Sequence, residues 1–177
     1  MHMKRTFKSL IVLTVGVLSM NAIMAQELQW AKDGNSYYEL DQKQGIVQIA
    51  PQRPSAVVMS KAQLTPANQK NVLDVASFSF SEDDQKILLF TDTRKVWRLN
   101  TKGNYWVYDK KAASLKQLGK GRPASSLMFA KFSPDGKKVA YVSEFNIYVE
   151  DLATGAIKKL TADGSRKLIN GTFDWVY

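Results

Sequence analysis

The chain has 177 residues, no cysteine and a single histidine, with 25 Lys and Arg set against 16 Asp and Glu. That histidine is His2, so from residue 26 onward the chain cannot build a Ser-His-Asp triad, a Cys-His pair, a typical zinc site or a disulfide. Cations interleave with aromatics from Arg94-Lys95-Val96-Trp97-Arg98 to Lys110-Lys111. Period-2 alternation on half-buried strands explains that pattern more simply than nucleic-acid binding does.

Residues 1–25 read as an export signal. Lys4, Arg5 and Lys8 give a positive start, Leu10 to Met20 is a mostly apolar run, and Ala25 offers a small residue for cleavage before Gln26. The apolar run falls short of the roughly 20 residues that a spanning helix needs. The expectation is a removed signal with no stable membrane span, and a periplasmic or extracellular location in a bacterium; a retained anchor is the alternative. Without cysteine there is no lipid-modified cleavage site.

From Gln26 the signals are those of strands and turns. Trp30 precedes the turn signal Lys32-Asp33-Gly34-Asn35. Ser36–Leu40 and Gly45–Ile49 form a hairpin around Asp41-Gln42-Lys43-Gln44, and Ser55–Ser60 is a third strand after the break at Pro51-Gln52-Arg53-Pro54. Pro66-Ala67-Asn68-Gln69-Lys70 is a polar connector. Further on, Phe129–Phe132, Val139–Ser143, Asn146–Asp151 and Ile157–Leu160 are strands. Ser133-Pro134-Asp135-Gly136 makes a tight turn between the first two, with Pro presetting φ, Asp bonding the local backbone and Gly accepting positive φ. In Asn146–Asp151 the apolar Ile147 and Val149, continued by Leu152, alternate with Asn146, Tyr148 and Glu150. A four-stranded meander of this kind is one blade of a β-propeller.

The pattern recurs, as a blade requires. Phe80-Ser81-Glu82-Asp83-Asp84-Gln85-Lys86-Ile87-Leu88-Leu89-Phe90 aligns without gaps on residues 132–142, Tyr105-Trp106-Val107-Tyr108-Asp109 on 147–151, and Leu115-Lys116-Gln117-Leu118 on 157–160. The offset drops from 52 to 42 between the first two matches, so the earlier copy carries ten extra residues within Thr91–Asn104. The expected fold is therefore all-β: an incomplete β-propeller of about three four-stranded antiparallel blades, near 26–65, 72–118 and 127–170, preceded by the signal peptide. Propellers typically close with four to eight blades, so the chain is expected to be a piece of a longer protein.

Familiar catalytic loops are missing. Gly34-Asn35-Ser36-Tyr37-Tyr38 lacks the last glycine of a nucleophile elbow, and Gly119-Lys120-Gly121 lacks the flanking residues of a phosphate loop. Asp135 belongs to turn chemistry rather than to calcium. No catalytic residue, metal or cofactor is expected.

Two stretches carry a family resemblance. Lys95-Val96-Trp97-Arg98 followed by Tyr105-Trp106-Val107-Tyr108-Asp109, and Asn170-Gly171-Thr172-Phe173-Asp174-Trp175-Val176-Tyr177, are similar to the N-terminal propeller of bacterial dipeptidyl peptidase IV-like serine peptidases of the prolyl oligopeptidase clan. The resemblance implies an exopeptidase that removes N-terminal dipeptides with Pro or Ala second. In that family a Glu-Glu pair follows Trp-Val-Tyr and binds the peptide's α-amino group, and a C-terminal α/β-hydrolase domain carries Ser, Asp and His. It implies that Arg98 projects into the central cavity to hold the acidic pair and a substrate carbonyl. Asp174, Trp175 and Tyr177 would be structural, beside that pair, and homodimers are frequent.

By its chemistry a guanidinium suits carboxylates and carbonyls, but taken alone Arg98 reads as a solvated cation on a long loop, and Trp97 as a packing anchor. The partners implied are peptides, not nucleic acid, and the chain by itself should be inert. Two alternatives stay open: a non-catalytic periplasmic propeller that binds protein or glycan, and a peptidase of the same clan that releases tripeptides or acyl-amino acids.

Overall fold

A computed structural model describes residues 29–96 and 98–172. The strands are β1 (Gln29–Trp30), β2 (Tyr37–Asp41), β3 (Gly45–Ile49), β4 (Ala56–Ser60), β5 (Val75–Phe80), β6 (Lys86–Val96), β7 (Leu99–Asp109), β8 (Ser114–Gln117), β9 (Leu127–Phe132), β10 (Lys138–Ser143), β11 (Asn146–Asp151) and β12 (Ile157–Lys159). All are antiparallel, in three successive up-and-down meanders, and there is no helix among the described residues. The first meander is a sheet of its own. The second and third merge into one eight-stranded sheet, because the long strand β7 also pairs with β9 through Lys102↔Met128 and Gly103↔Leu127.

The same turn chemistry starts each meander. Ser81 and Ser133 each donate from Oγ to the Oδ1 of the Asp two residues on, at 2.6 Å. Each hydroxyl in turn accepts the amide of Lys86 or Lys138, at 2.9 and 3.0 Å. The residue after each Asp has positive φ: Asp84 at 55° and Gly136 at 64°. Ala31–Ser36 is a third copy. Asp33 Oδ1 accepts the amide of Asn35 at 2.9 Å, Gly34 has φ 67°, and the Ala31 amide closes the turn on the Ser36 carbonyl at 2.9 Å.

The second meander is apolar on both faces. Ile87, Leu89, Trp106 and Tyr108 pack with Ile46, Met59 and Leu64 of the first meander and its connector. Leu88, Tyr105 and Val107 pack with Val139, Tyr141 and Tyr148 of the third. The near-continuous apolar runs of β6 and β7 are those of strands covered on both sides. The alternation of β11 holds, but Asn146, Tyr148 and Glu150 are its buried set, while Ile147 and Val149 are half-buried. Tyr148 packs on the second meander, while Asn146 and Glu150 find their hydrogen-bond partners in the turn before β11, in the segment after β12, in the loop after β8 and in β10.

The extra residues of the second meander form no loose loop. They lengthen the β6–β7 hairpin into a two-stranded arm, through Thr91↔Asn104, Arg94↔Lys102, Lys95↔Asn100 and Val96↔Leu99. At its root Phe90 stacks on Tyr105 at 4.6 Å, and burial pushes the Tyr105 hydroxyl up to about 12. Gly103 lies so close to this pair that a Cβ there would stand 2.5 Å from both the Phe90 ring and the Thr91 carbonyl.

Hydrogen bonds hold the three turn carboxylates below the usual carboxylate range. The Asn35 amide is the largest cause at Asp33, and the Ser81 and Ser133 hydroxyls are at Asp83 and Asp135. A folded pKa below the unfolded one gives stability that is present above about pH 4 and lost as pH falls through the folded value. Circular-dichroism melts should show the midpoint dropping on acidification from about pH 5 to about pH 2.5, and the double variant Asp83→Asn/Asp135→Asn should show a shallower drop. Equal slopes would contradict this assignment.

Candidate functional site

The arm, the ends of β9 and β10, and the chain after β12 meet around one cavity of about 610 Å3. The arm contributes Val96 and Lys102, β9 contributes Met128 and Phe129, the β10–β11 turn contributes Glu144 and Phe145, and the later segment contributes Ile169 and Thr172. The β10–β11 turn has two residues, Glu144 (φ 48°) and Phe145 (φ 66°). Two successive positive φ values are the type I′ geometry that Asn-Gly adopts readily and a bulky side chain resists. Phe129, in the irregular β9–β10 register, has φ 54°.

Buried Asn146 holds this turn in place. Its Nδ2 donates to the Glu144 carbonyl at 3.1 Å, and its Oδ1 accepts from Thr161 Oγ1 at 3.1 Å and the Gly164 amide at 3.0 Å. The Asn170 amide donates to the Phe145 carbonyl at 3.1 Å. At Gly164 a Cβ would stand 2.2 Å from the Phe145 carbonyl oxygen, and at Gly171 one would stand 2.6 Å from Val142 Cγ2. Only glycine lets the segment lie this close to the turn and to β10, and so arrive at the cavity at Thr172.

A second polar cluster joins the interblade loop to β10 and β11. Arg122 donates through Nη1 to Glu144 Oε2 at 3.2 Å and to the Tyr148 hydroxyl at 3.1 Å, with its guanidinium 5.0 Å from the Tyr148 ring centre. Buried Glu150 accepts the Gly119 amide at 2.8 Å and the Tyr141 hydroxyl at 3.2 Å. Burial, and then the Glu150 charge, pushes the Tyr141 hydroxyl well above its ordinary value. Asn146, Glu150 and Arg122 were not singled out from the sequence. Asn146 and Glu150 lie in a strand that keeps period 2, which does not say which set is inside, and Arg122, in the interblade loop, carries no such signal.

Arg98 lies near the tip of the arm between Val96 and Leu99, exposed, and makes no ion pair among the described residues. Trp97, Asp174, Trp175 and Tyr177 lie outside the described residues. The arm that carries Arg98 and the segment that leads toward Asp174 therefore share one cavity, at Val96 and Thr172. No group of His, Cys, Asp and Glu among the described residues is arranged to hold a metal ion.

Residues 81–177, more than half of the chain, match the family described as the dipeptidyl peptidase IV (DPP IV) N-terminal region. The chain belongs to that family. It is 28% identical over 144 residues to the probable dipeptidyl-aminopeptidase B of Chaetomium globosum, covering 75% of this chain and 16% of that protein. It is 37% identical over 106 residues to the dipeptidyl aminopeptidase B of Saccharomyces cerevisiae, covering 59% and 12%. Its fold is similar to that of Porphyromonas gingivalis dipeptidyl peptidase 4, with a TM-score of 0.67 and 24% identity over 79% of this chain and 20% of that one. The chain thus spans no more than a fifth of the length of these proteins, and the three meanders are blades of the DPP IV N-terminal propeller.

Removing the Asn146 side chain leaves buried partners unsatisfied, a loss of about 1–3 kcal/mol. Asn146→Ala should lower stability by that amount in urea unfolding and speed proteolysis within 161–172. Arg98→Ala, at an exposed position, should stay within about 0.5 kcal/mol of the parent. Equal losses in both variants would contradict the description of the site.

Proposed function

We propose that this chain is the substrate-gating end of an exported dipeptidyl peptidase, and that its cavity lies where the amino end of a peptide is held. The convergence of the Arg98 arm and the segment from Asn170 to Thr172 on one cavity carries this reading. A Glu-Glu pair following Tyr177 would then sit within reach of the arm. Arg98 would supply planar donors to those carboxylates and to a substrate carbonyl, bonds about twice as strong as neutral ones. The carboxylates would take the peptide's α-ammonium group and so measure two residues to the scissile bond, after Pro or Ala. A hydrolase domain elsewhere in the protein would supply the Ser, Asp and His. The propeller would admit peptides and turn away folded proteins. Export rests on Lys4, Arg5, Lys8 and the apolar run to Met20.

The test is to express the product of the whole reading frame and assay Gly-Pro and Ala-Pro chromogenic amides. The expected result is cleavage that an N-acetyl cap abolishes, with kcat/KM falling about 10- to 100-fold in Arg98→Ala, the loss of one to two charge-assisted bonds. Residues 1–177 alone should release nothing above a buffer blank. Full activity in Arg98→Ala, or indifference to the cap, would contradict the reading.

A further inference from the structure

The arm that carries Arg98 is bent twice near its root. Between the pairs Thr91↔Asn104 and Arg94↔Lys102, β6 holds one residue more than β7; between Arg94↔Lys102 and Lys95↔Asn100, β7 holds one more than β6. Bulges of this kind bend and twist a strand pair. The direction of the arm therefore depends on the backbone at Asp92, in the first bulge, where φ is 47°. Outside the hairpin itself the arm is laddered only through Lys102 and Gly103, to β9.

A short chain of polar contacts holds that backbone. Asp92 Oδ2 accepts from Thr91 Oγ1 at 3.1 Å and from Asn104 Nδ2 at 2.9 Å, and Asn104 Oδ1 accepts the Ser125 amide at 2.8 Å. Hydrogen bonds to a carboxylate are stronger than neutral ones. The two ends of the Asn104 side chain are thus spent on different elements, one on the bulge and one on the loop that enters β9. Ser125 is itself buried, with φ 52°. Apolar packing fixes the base one residue further in, where Phe90 stacks on Tyr105, and the polar chain acts on what lies beyond. Ser125 stands two residues before β9, whose Met128 and Phe129 line the cavity together with Val96, Thr101 and Lys102 of the arm. The contacts therefore fix the arm relative to the wall it faces.

We propose that Asn104 and Asp92 are positioning residues that aim Arg98. Six steps along the chain separate Asp92 from Arg98, and six more separate Arg98 from Asn104, so they act through the direction of the hairpin and not by contact. An arm of this length reaches about 20 Å, and a tilt of about 5° at its root moves its tip by about 1.5 Å. A misplacement of about 1 Å can cost a reaction about 100-fold. The proposal rests on the reading of Arg98 as a group that holds substrate, and adds what fixes its place.

The test is a double-mutant cycle on the whole product of the reading frame, with the Ala-Pro chromogenic amide as substrate and thermal melts to show that each variant is folded. Asn104→Ala should lower kcat/KM about tenfold. The double variant Asn104→Ala/Arg98→Ala should be no worse than Arg98→Ala, because a residue that acts through Arg98 has nothing to act on once Arg98 is gone. Asp92→Ala should repeat both results, and carries the cycle if Asn104→Ala does not fold. Asp92→Asn keeps an acceptor oxygen and tolerates positive φ, so it should stay within about threefold of the parent. Losses that multiply in the double variants, unchanged kcat/KM in Asn104→Ala and Asp92→Ala, or equal losses in Asp92→Ala and Asp92→Asn overturn this proposal and leave the role of Arg98 standing. Full activity in Arg98→Ala, or an inactive parent, overturns the reading of Arg98 and this proposal with it.

Discussion

Strands β6 and β7 bury large side chains on both faces, and the rest of the molecule follows from covering them. Leu89 and Trp106 point one way and Leu88 and Val107 the other, all of them buried. Each large apolar side chain is worth roughly 1.5–3 kcal/mol when removed from water, so neither face is stable uncovered. The first meander covers one side and the third the other, giving the stacked sheets of neighbouring propeller blades. The arm grows from the best-covered part of this arrangement. Its root residue Thr91 is fully buried, whereas Leu99 near its tip is 69% exposed. The base of the arm is thus held in the core, while its tip, with Arg98, stands exposed.

Polar contacts then fix what apolar packing leaves loose. Asn146 ties a strained turn to the segment that follows β12, and Glu150 ties the interblade loop to β10. Both come from the buried face of one strand, so docking of the third blade on the second also orders the back of the cavity. The strain at Glu144 and Phe145 persists because the hydrogen bonds around it and the close approach of Gly164 leave the turn little alternative.

Much of this was legible in the sequence. The Ser-x-Asp turns of Ser81 and Ser133 repeat with their strands, and the hairpins follow from Asp and Gly placement. The third copy at Ala31–Ser36 is not legible as a repeat because Ala replaces the serine, so that only Asp33 and Gly34 keep the pattern. The arm reads as a loop because Arg94, Lys95 and Arg98 leave it no apolar period of two, and register shifts on either side of Arg94 break the spacing further. A ladder formed in solvent needs no apolar face. The buried side of β11 could not be read from period 2. Arg98 stood out only through the family resemblance, since nothing in its own neighbourhood separates it from a surface cation. The pairing of β7 with β9, which brings the arm to the cavity, leaves no local mark at all.

The most direct test of the central claim, that a peptide's amino end lies between the arm and the β10–β11 turn, is photo-cross-linking. A free-amine peptide with a photoreactive group on its third residue would be irradiated with the whole product of the reading frame and the adducts located by mass spectrometry. The account predicts adducts on residues 96–102, 128–129 and 144–145. Adducts confined to the outer groove lined by Lys86, Lys116 and Lys137 would contradict it.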